Sequence, residues 1–248
     1  ITWNDSDNIG VVTVSLYYKT SGSWNIIAEN IDNMNGYYWI VPNEETNNLQ
    51  IRLIGEDAVG LSDTSEVDGI IVASVAMSSS LPTRCQDAGV PVVLFNRDQD
   101  DDKLSSVTSD NFAGGQKVAD LLLDLNHKRI SYLAGWEGAS TQRDREFGFI
   151  SKLKERGLKL FSREIGNFKF EEAQKATLKM FSNKTIPDAL FVANDHMAFA
   201  AMDIIRYDLK LKIPDEVSIV GYDDVPPSAW PSYDLTTVKQ KADLLVEE

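Results

Sequence analysis

The order of apolar and polar residues divides the chain into two patterns. From Val11 to Tyr18 the sequence VVTVSLYY follows the two-residue period of a strand with one wet face. Short runs of the same kind recur at Trp24–Ala28, Tyr37–Val41, Leu49–Gly55 and Glu66–Val72. Turn chemistry stands between them: Ser21-Gly22, Asn33 to Gly36, Pro42-Asn43 and Ala58-Val59-Gly60. No stretch there reads as a helix. Short strands at roughly ten-residue spacing predict a small antiparallel β-sandwich.

From Asp68 onward the pattern becomes strand–helix–strand. Apolar runs lie at Gly69–Ala73, Val90–Phe95, Ile130–Ala134, Ala189–Ala193 and Val217–Gly221, with amphipathic stretches between them. Val118, Leu121, Leu122 and Leu125 share one helical face, as do Met197, Ala201, Ile204 and Ile205. Such alternation predicts an α/β fold of parallel sheets with right-handed crossovers. The change of pattern puts a domain boundary near residue 67, giving domains 1–67 and 68–248. No repeat or low-complexity linker marks it.

Composition fits this division. The chain has 248 residues, 43% hydrophobic and 25% charged, enough for one large domain or two ordinary ones. Its net charge is −14, of which residues 1–67 carry −8, with ten acidic side chains against Lys19 and Arg52. That balance argues against a nucleic-acid surface, since phosphate contacts need clustered Lys and Arg. The single cysteine, Cys85, excludes an internal disulfide. No apolar run approaches the ~18 residues of a membrane span, and no charged-then-apolar leader opens the chain. The first residue is Ile1 rather than Met, so upstream sequence is expected.

Catalytic and metal chemistry is hard to find. His127 and His196 stand apart without ligand partners nearby in sequence. The run Asp98 to Asp102 starts like a calcium loop. Lys103 then occupies the turn-glycine position and Ser109 the glutamate position, which leaves a solvated acidic loop. No G-x-S-x-G elbow, Walker A loop or G-x-G-x-x-G fingerprint occurs. No enzyme, metal or cofactor is expected.

Ligands of open α/β sheets bind beyond the carboxyl ends of the strands. Those ends read Asn96-Arg97, Gly135-Trp136, Asn194-Asp195 and Tyr222-Asp223-Asp224. The helix opening at Ser140 brings Arg143 and Arg145 to the same rim, and Phe168 lies in a loop between two elements. Carboxylates and amides bridge hydroxyls, arginine donates in a fork, and aromatic faces cover the C–H side of a sugar ring. Each residue taken singly also has a local explanation: Asn194 or Asp195 as a helix cap, Asp223 as a turn. Their recurrence at successive strand ends points to a site.

These residues carry a resemblance. DGIIVAS (68–74), GVPVVLFNR (89–97), VTSDNFAGG (107–115), LNHKRISYLAG (125–135), RDREFGF (143–149), PDALFVANDHMAFAAM (187–202), IPDEVSIVGYDD (213–224) and LTTVKQ (235–240) resemble the effector-binding region of LacI/GalR-family transcriptional regulators. That region is similar in fold to periplasmic sugar-binding proteins. The resemblance implies that Arg145 grips the ligand and that Asp223 takes sugar hydroxyls. It makes Asn194 and Asp195 polar contacts, sets Phe168 as an aromatic over the ligand, and has Asn96 reach from the opposite lobe. Asn126 departs from the usual glycine before His127, but asparagine tolerates the left-handed cap.

The same resemblance implies two lobes. Residues 111–237 make the second lobe, 68–110 and 238–248 a partial first one, with chain crossings near 105–110 and 235–240. The DNA-binding headpiece and part of the first lobe are expected to be missing. SLYYKTSGSWNIIAENI (15–31), GYYWIVPNE (36–44) and IRLIGEDAVGLSD (51–63) are similar to a bacterial immunoglobulin-like or fibronectin-type module. The leading expectation is a cytoplasmic, non-enzymatic domain that binds a small polar effector, a sugar or a nucleoside/purine. It would contact neither nucleic acid nor membrane, and would dimerise if the first lobe forms. The alternatives are an exported sugar-binding or adhesion protein, and a chimeric fragment whose cleft binds nothing.

Overall fold

The computed structural model describes residues 11–19, 23–32, 50–57, 62–65, 69–87, 90–241 and 244–245. The chain forms two compact units. The first takes Ile1–Ala73, Ser79–Leu94 and Asp101–Ser105; the second takes Ser74–Ser78, Phe95–Asp100 and Ser106–Glu248.

In the first unit, β1 (Val11–Lys19), β2 (Asn25–Asp32), β3 (Gln50–Asp57) and β4 (Ser62–Ser65) form an antiparallel sheet in the order β2-β1-β3-β4. Alternation in β1 explains its seat: Val14 and Leu16 are buried, while Ser15 between them and Tyr17 after them are only half-buried. The expected strands at 24–28 and 49–55 are therefore present and longer. A sandwich needs two stacked sheets, and the antiparallel strands among the described residues make a single sheet. The expected strand at 37–41, the turns at 21–22, 33–36, 42–43 and 58–60, and the boundary near 67 lie outside the described residues. β5 (Ile70–Ala73), α1 (Leu81–Asp87), β6 (Val92–Phe95) and β7 (Ser105–Val107) follow, the strands ordered β5-β6-β7.

The second unit is built on a five-stranded parallel sheet. Its strands are β8 (Ile130–Ala134), β9 (Arg163–Ile165), β10 (Ala189–Val192), β11 (Ser218–Asp223) and β12 (Thr236–Lys239), in the order β12-β11-β10-β8-β9. The helices are α2 (Asn111–Asp124), α3 (Ser140–Glu155), α4 (Phe170–Met180) and α5 (Asp195–Asp203), the last running into a π-helical turn at Ile204–Asp208. β8 and β10 are buried along their whole length, the condition that makes an unbroken apolar run the signature of a central parallel strand. Register aligns Tyr132 with Phe191 and Phe191 with Val220. Tyr132, Phe149 and Phe191 pack tilted, with ring centroids 4.8–5.8 Å apart. Fully burying each of these rings contributes about 1.5–3 kcal/mol.

The α5 face read from the sequence is buried in full: Met197, Ala201, Ile204 and Ile205. The α2 face is corrected. Val118 and Leu122 are buried, but Leu121 and Leu125 are exposed. The helix turns instead on Asn111, Gly114, Gly115, Val118, Ala119 and Leu122, because glycines bring α2 close to its neighbours. A Cβ on Gly115 would run into the Arg145 carbonyl, and one on Gly148 into the Phe112 carbonyl. α2 and α3 therefore touch backbone to backbone. Asn126 ends α2 at φ +65°, with its N–H on Leu123 O and the His127 N–H on Leu122 O, a Schellman ending that the asparagine supports.

Candidate functional site

Of the polar residues expected at strand ends, Asn194, Asp195 and Asp223 lie at the carboxyl edge of the second unit's sheet, whereas Asn96 and Arg97 follow β6 of the three-stranded sheet. α3 starts just beyond β8, and its close seat on α2 turns Arg145 inward. Arg145 is only 3% exposed. Its Nε donates to Asn111 Oδ1 at 2.8 Å and its Nη1 to the Ala193 carbonyl, at the end of β10, at 2.6 Å. The guanidinium lies 3.7 Å from the centre of the Tyr222 ring, and Nη2 stands 3.5 Å from Asp223 Oδ1. A buried charge fixed on every side by hydrogen bonds, a ring face and a carboxylate is oriented before any ligand arrives.

Asp223 ends β11 with φ +120°, followed by Asp224 at +57°, so the backbone turns away from the sheet there. Its Oδ1 accepts from Gln240 Nε2 at 2.6 Å, and Gln240 Oε1 in turn accepts from Ser109 Oγ at 2.8 Å. Burial raises the Asp223 pKa, while Arg145 and the Gln240 hydrogen bond pull it back. Oδ2 carries no hydrogen bond to the described residues, which leaves one carboxylate oxygen for a hydroxyl.

Asn194 is the N-cap of α5, its Oδ1 accepting from the Met197 N–H at 3.0 Å. The local explanation therefore holds for this residue, though its side chain remains half-buried rather than closed off. Asp195, expected as a polar ligand contact, is turned inward. It is 0% exposed; Oδ1 accepts from Thr237 Oγ1 at 2.6 Å and Oδ2 from the Val225 N–H at 3.0 Å. Gly221 gives it room, since a Cβ there would strike Oδ1. The carboxylate lies behind the site and ties α5 to β12 and the turn after β11. Burial pushes its pKa up to about 6, the hydrogen bonds of Thr237 and Val225 pull it down, and the neighbouring Asp223 charge raises it again.

Phe168 sits on a left-handed turn, with φ of +53° at Asn167 and +58° at Phe168. Its ring covers Gly135, where a Cβ would collide with it. Gly135 N–H and the buried Tyr132 hydroxyl both donate to Gln142 Oε1, at 2.6 and 2.9 Å, which holds the loop carrying Trp136. Arg97 stands 5.8 Å from the ring centres of both Trp136 and Phe168. Asn96 occupies a left-handed turn (φ +69°); its N–H reaches Val107 O, its carbonyl accepts from Thr108 Oγ1, and its Nδ2 lies 3.4 Å from Ser74 Oγ. Asp98 and Asp100 of the acidic loop face Arg143, at 3.9 and 2.7 Å.

The structure therefore brings Arg145 and Asp223 together directly and sets Asn194 beside them on the next strand end. Phe168 belongs to the β8 end of the rim. Asn111, Gln240 and Gln142 were not among the expected site residues. Asn111 and Gln240 both lie inside matched strings, but as single amides they carry no spacing signal.

The family model described as Periplasmic binding protein domain matches residues 29–229. The chain belongs to the periplasmic binding protein domain family. Its relatives are LacI-family repressors. It is 28% identical over 240 residues to "Probable HTH-type transcriptional repressor ExuR" of Bacillus subtilis (strain 168), covering 95% of this chain and 69% of ExuR. It is 32% identical over 177 residues to the HTH-type transcriptional repressor PurR of Pasteurella multocida (strain Pm70), covering 70% of this chain and 53% of PurR. Among solved structures, the transcriptional regulator CelR–cellobiose complex matches with a TM-score of 0.67 at 28% identity, over 72% of this chain and 56% of that one. The lac repressor dimer bound to operator and the anti-inducer ONPF gives 0.65 at 27%, over 72% and 62%. This periplasmic-binding-type chain thus spans between about half and two-thirds of the relatives it matches.

The fold expectation holds: parallel α/β layers, with an antiparallel sheet before them. The immunoglobulin-like or fibronectin-type identity of residues 1–67 finds no support. The family match begins at residue 29, inside that stretch, and the alignment to ExuR runs over nearly all of the chain. The adhesion alternative is not favoured, because the relatives are transcriptional regulators. No helix among the described residues is long and apolar enough to cross a membrane.

Proposed function

We propose that this chain is the effector-binding part of a LacI/GalR-type transcriptional regulator, cytoplasmic and non-enzymatic, that takes up a small polar ligand, a sugar or a nucleoside/purine. One observation carries the reading: Arg145, buried and held by Asn111, Ala193 and Tyr222, meets Asp223 at the sheet's carboxyl edge with one carboxylate oxygen unspent. A fork of donors beside an acceptor is the pairing that vicinal hydroxyls match. Phe168 would cover a ring face, with Asn194 and Asn96 as further polar contacts, while Asp195 would act only by holding the turn below Asp223. The second lobe would be residues 111–237 and the partial first lobe would be drawn from 68–110 and 238–248. Dimerisation is proposed from the lac repressor dimer. The chain's own net charge of −14 argues against DNA contact through its surface.

The test is a thermal-shift and calorimetric screen of the chain against monosaccharides, disaccharides, nucleosides and purines, with Arg145→Ala alongside. A ligand at about 100 times its Kd adds about 2.7 kcal/mol to the native state. The expected result is a stabilising ligand whose effect disappears in the variant. A cooperative transition that no compound moves would sink the reading.

A further inference from the structure

Three guanidinium groups line the same edge of the second unit, and their partners differ. Arg143 has Asp98, Asp100 and Asp144 around it, at 3.9, 2.7 and 2.8 Å. Arg145 has Asp223, which it shares with Gln240. Arg97 has no carboxylate within ion-pair distance among the described residues. Its Nη1 donates to the Ser74 carbonyl at 3.0 Å, the two aromatic rings flank it, and its Nε is buried with no acceptor at all.

Arg97 is the exception among these three, in a chain with 38 acidic residues against 24 basic ones, although Arg206 elsewhere in the unit likewise rests on carbonyls alone among the described residues. Four aspartates lie within five positions of Arg97, in the run Asp98 to Asp102, and two of them turn to Arg143 instead. Arg97, Arg145 and Asp223 together leave one positive charge without a counter-ion. A half-buried cation lacking an anion is costly, and its burial together with the nearby Arg145 charge lowers its affinity for the proton. With Nη1 taken by Ser74, the Nη2 side of the fork is the part left for a ligand. A carboxylate oxygen can accept from Nη2 there, with the charge of the guanidinium strengthening the hydrogen bond.

We propose that the effector is an acid: a polyhydroxylated compound whose carboxylate meets Arg97 while its hydroxyls meet Arg145 and Asp223. The rings of Trp136 and Phe168, each centred 5.8 Å from the guanidinium, give the site an apolar side that favours the cation's retention there. The inference rests on the effector reading above and narrows its ligand class.

Calorimetry on the whole chain with matched pairs tests it: D-glucose against D-glucuronate, D-galactose against D-galacturonate, with adenosine and hypoxanthine as non-acid probes. The expected result is an acid that binds about tenfold or more tighter than its neutral partner. Arg97→Gln should erase that preference and Arg97→Lys, which keeps the charge, should retain part of it, while Arg145→Ala weakens both members of the pair. A neutral sugar or a nucleoside that binds as well as any acid overturns the acidic class and leaves the effector reading standing. A preference that persists in Arg97→Gln also overturns it. Failure of every compound removes both.

Discussion

Asp195→Asn isolates one buried carboxylate and gives a signed, pH-dependent result. Asp195 has no exposure, and its ordinary pKa of about 3.9 is pushed up to about 6, first by burial and also by Asp223. A raised carboxyl pKa means that the fold prefers the protonated form. The group's contribution is therefore fully present below pH ~4 and is lost as pH rises through about 6. At 1.36 kcal/mol per pH unit the ionised group costs the native state about 3 kcal/mol near neutrality. Asparagine imitates the protonated acid: its Oδ1 can take the Val225 N–H, and its amide can donate to Thr237 Oγ1. Thr237 already accepts the Asp224 N–H at 3.3 Å and would have to redirect its own hydrogen, a cost of about 1 kcal/mol. The variant should then be slightly weaker than the parent at pH 4 and about 2 kcal/mol stronger at pH 7. Urea melts of both proteins at half-unit intervals from pH 4 to 7.5 read the difference directly, because carboxylates elsewhere cancel. A difference that stays flat over this range would show that Asp195 is ionised in the fold at no cost, and the reasoning from burial would be wrong.

Gly115→Ala drives a Cβ into the Arg145 carbonyl, where backbone cannot yield, and should lower stability by about 1–3 kcal/mol in denaturant melts while loosening Arg145 and weakening any ligand. Asn194→Ala should cost about 1 kcal/mol as a lost cap, and Asn194→Ser should restore the stability. If the serine variant is stable yet binds ligand normally, Asn194 is a cap and not a contact. Gly135→Ala should displace the Phe168 ring, which packs against the core from the rim, and reduce affinity along with some stability, read by calorimetry and denaturant melts.

The second unit was largely legible because its central strands are buried on both faces. ALFV is apolar without interruption, and ISYLA is broken only by Ser131, whose buried hydroxyl pairs with Ser162. β9, three residues containing Arg163 and Glu164, has too little pattern to show; it exists because Tyr132 and Leu133 offer it a ladder. β4 is four small and polar residues whose register on β3 is decided by the partner strand. The site divided in the same way. Arg145 and Asp223 could be placed because strand ends and helix starts converge there. The fate of Asp195 could not, since an aspartate after a strand can cap, contact or bury. Burial is decided by Gly221 and Thr237, which lie more than twenty residues away in sequence. Arg97 was equally opaque: the acidic run beside it suggests a local partner, and only the fold shows that run turning to Arg143.

Asp223 also has a limited number of lone pairs. Oδ1 already serves Gln240 and faces Arg145, and Gln240 is held in turn by Ser109, 131 residues earlier in the chain. A ligand hydroxyl can settle on Oδ2 and leave this arrangement intact, or it can claim Oδ1 and evict the glutamine. In the first case Asp223 is a passive hook. In the second, an exchange of acceptors at a single oxygen releases Gln240, and the tie between the stretch after β12 and the stretch before α2 slackens with it. Two ligands of equal affinity can thus leave those two stretches under different tension, according to which oxygen each one takes.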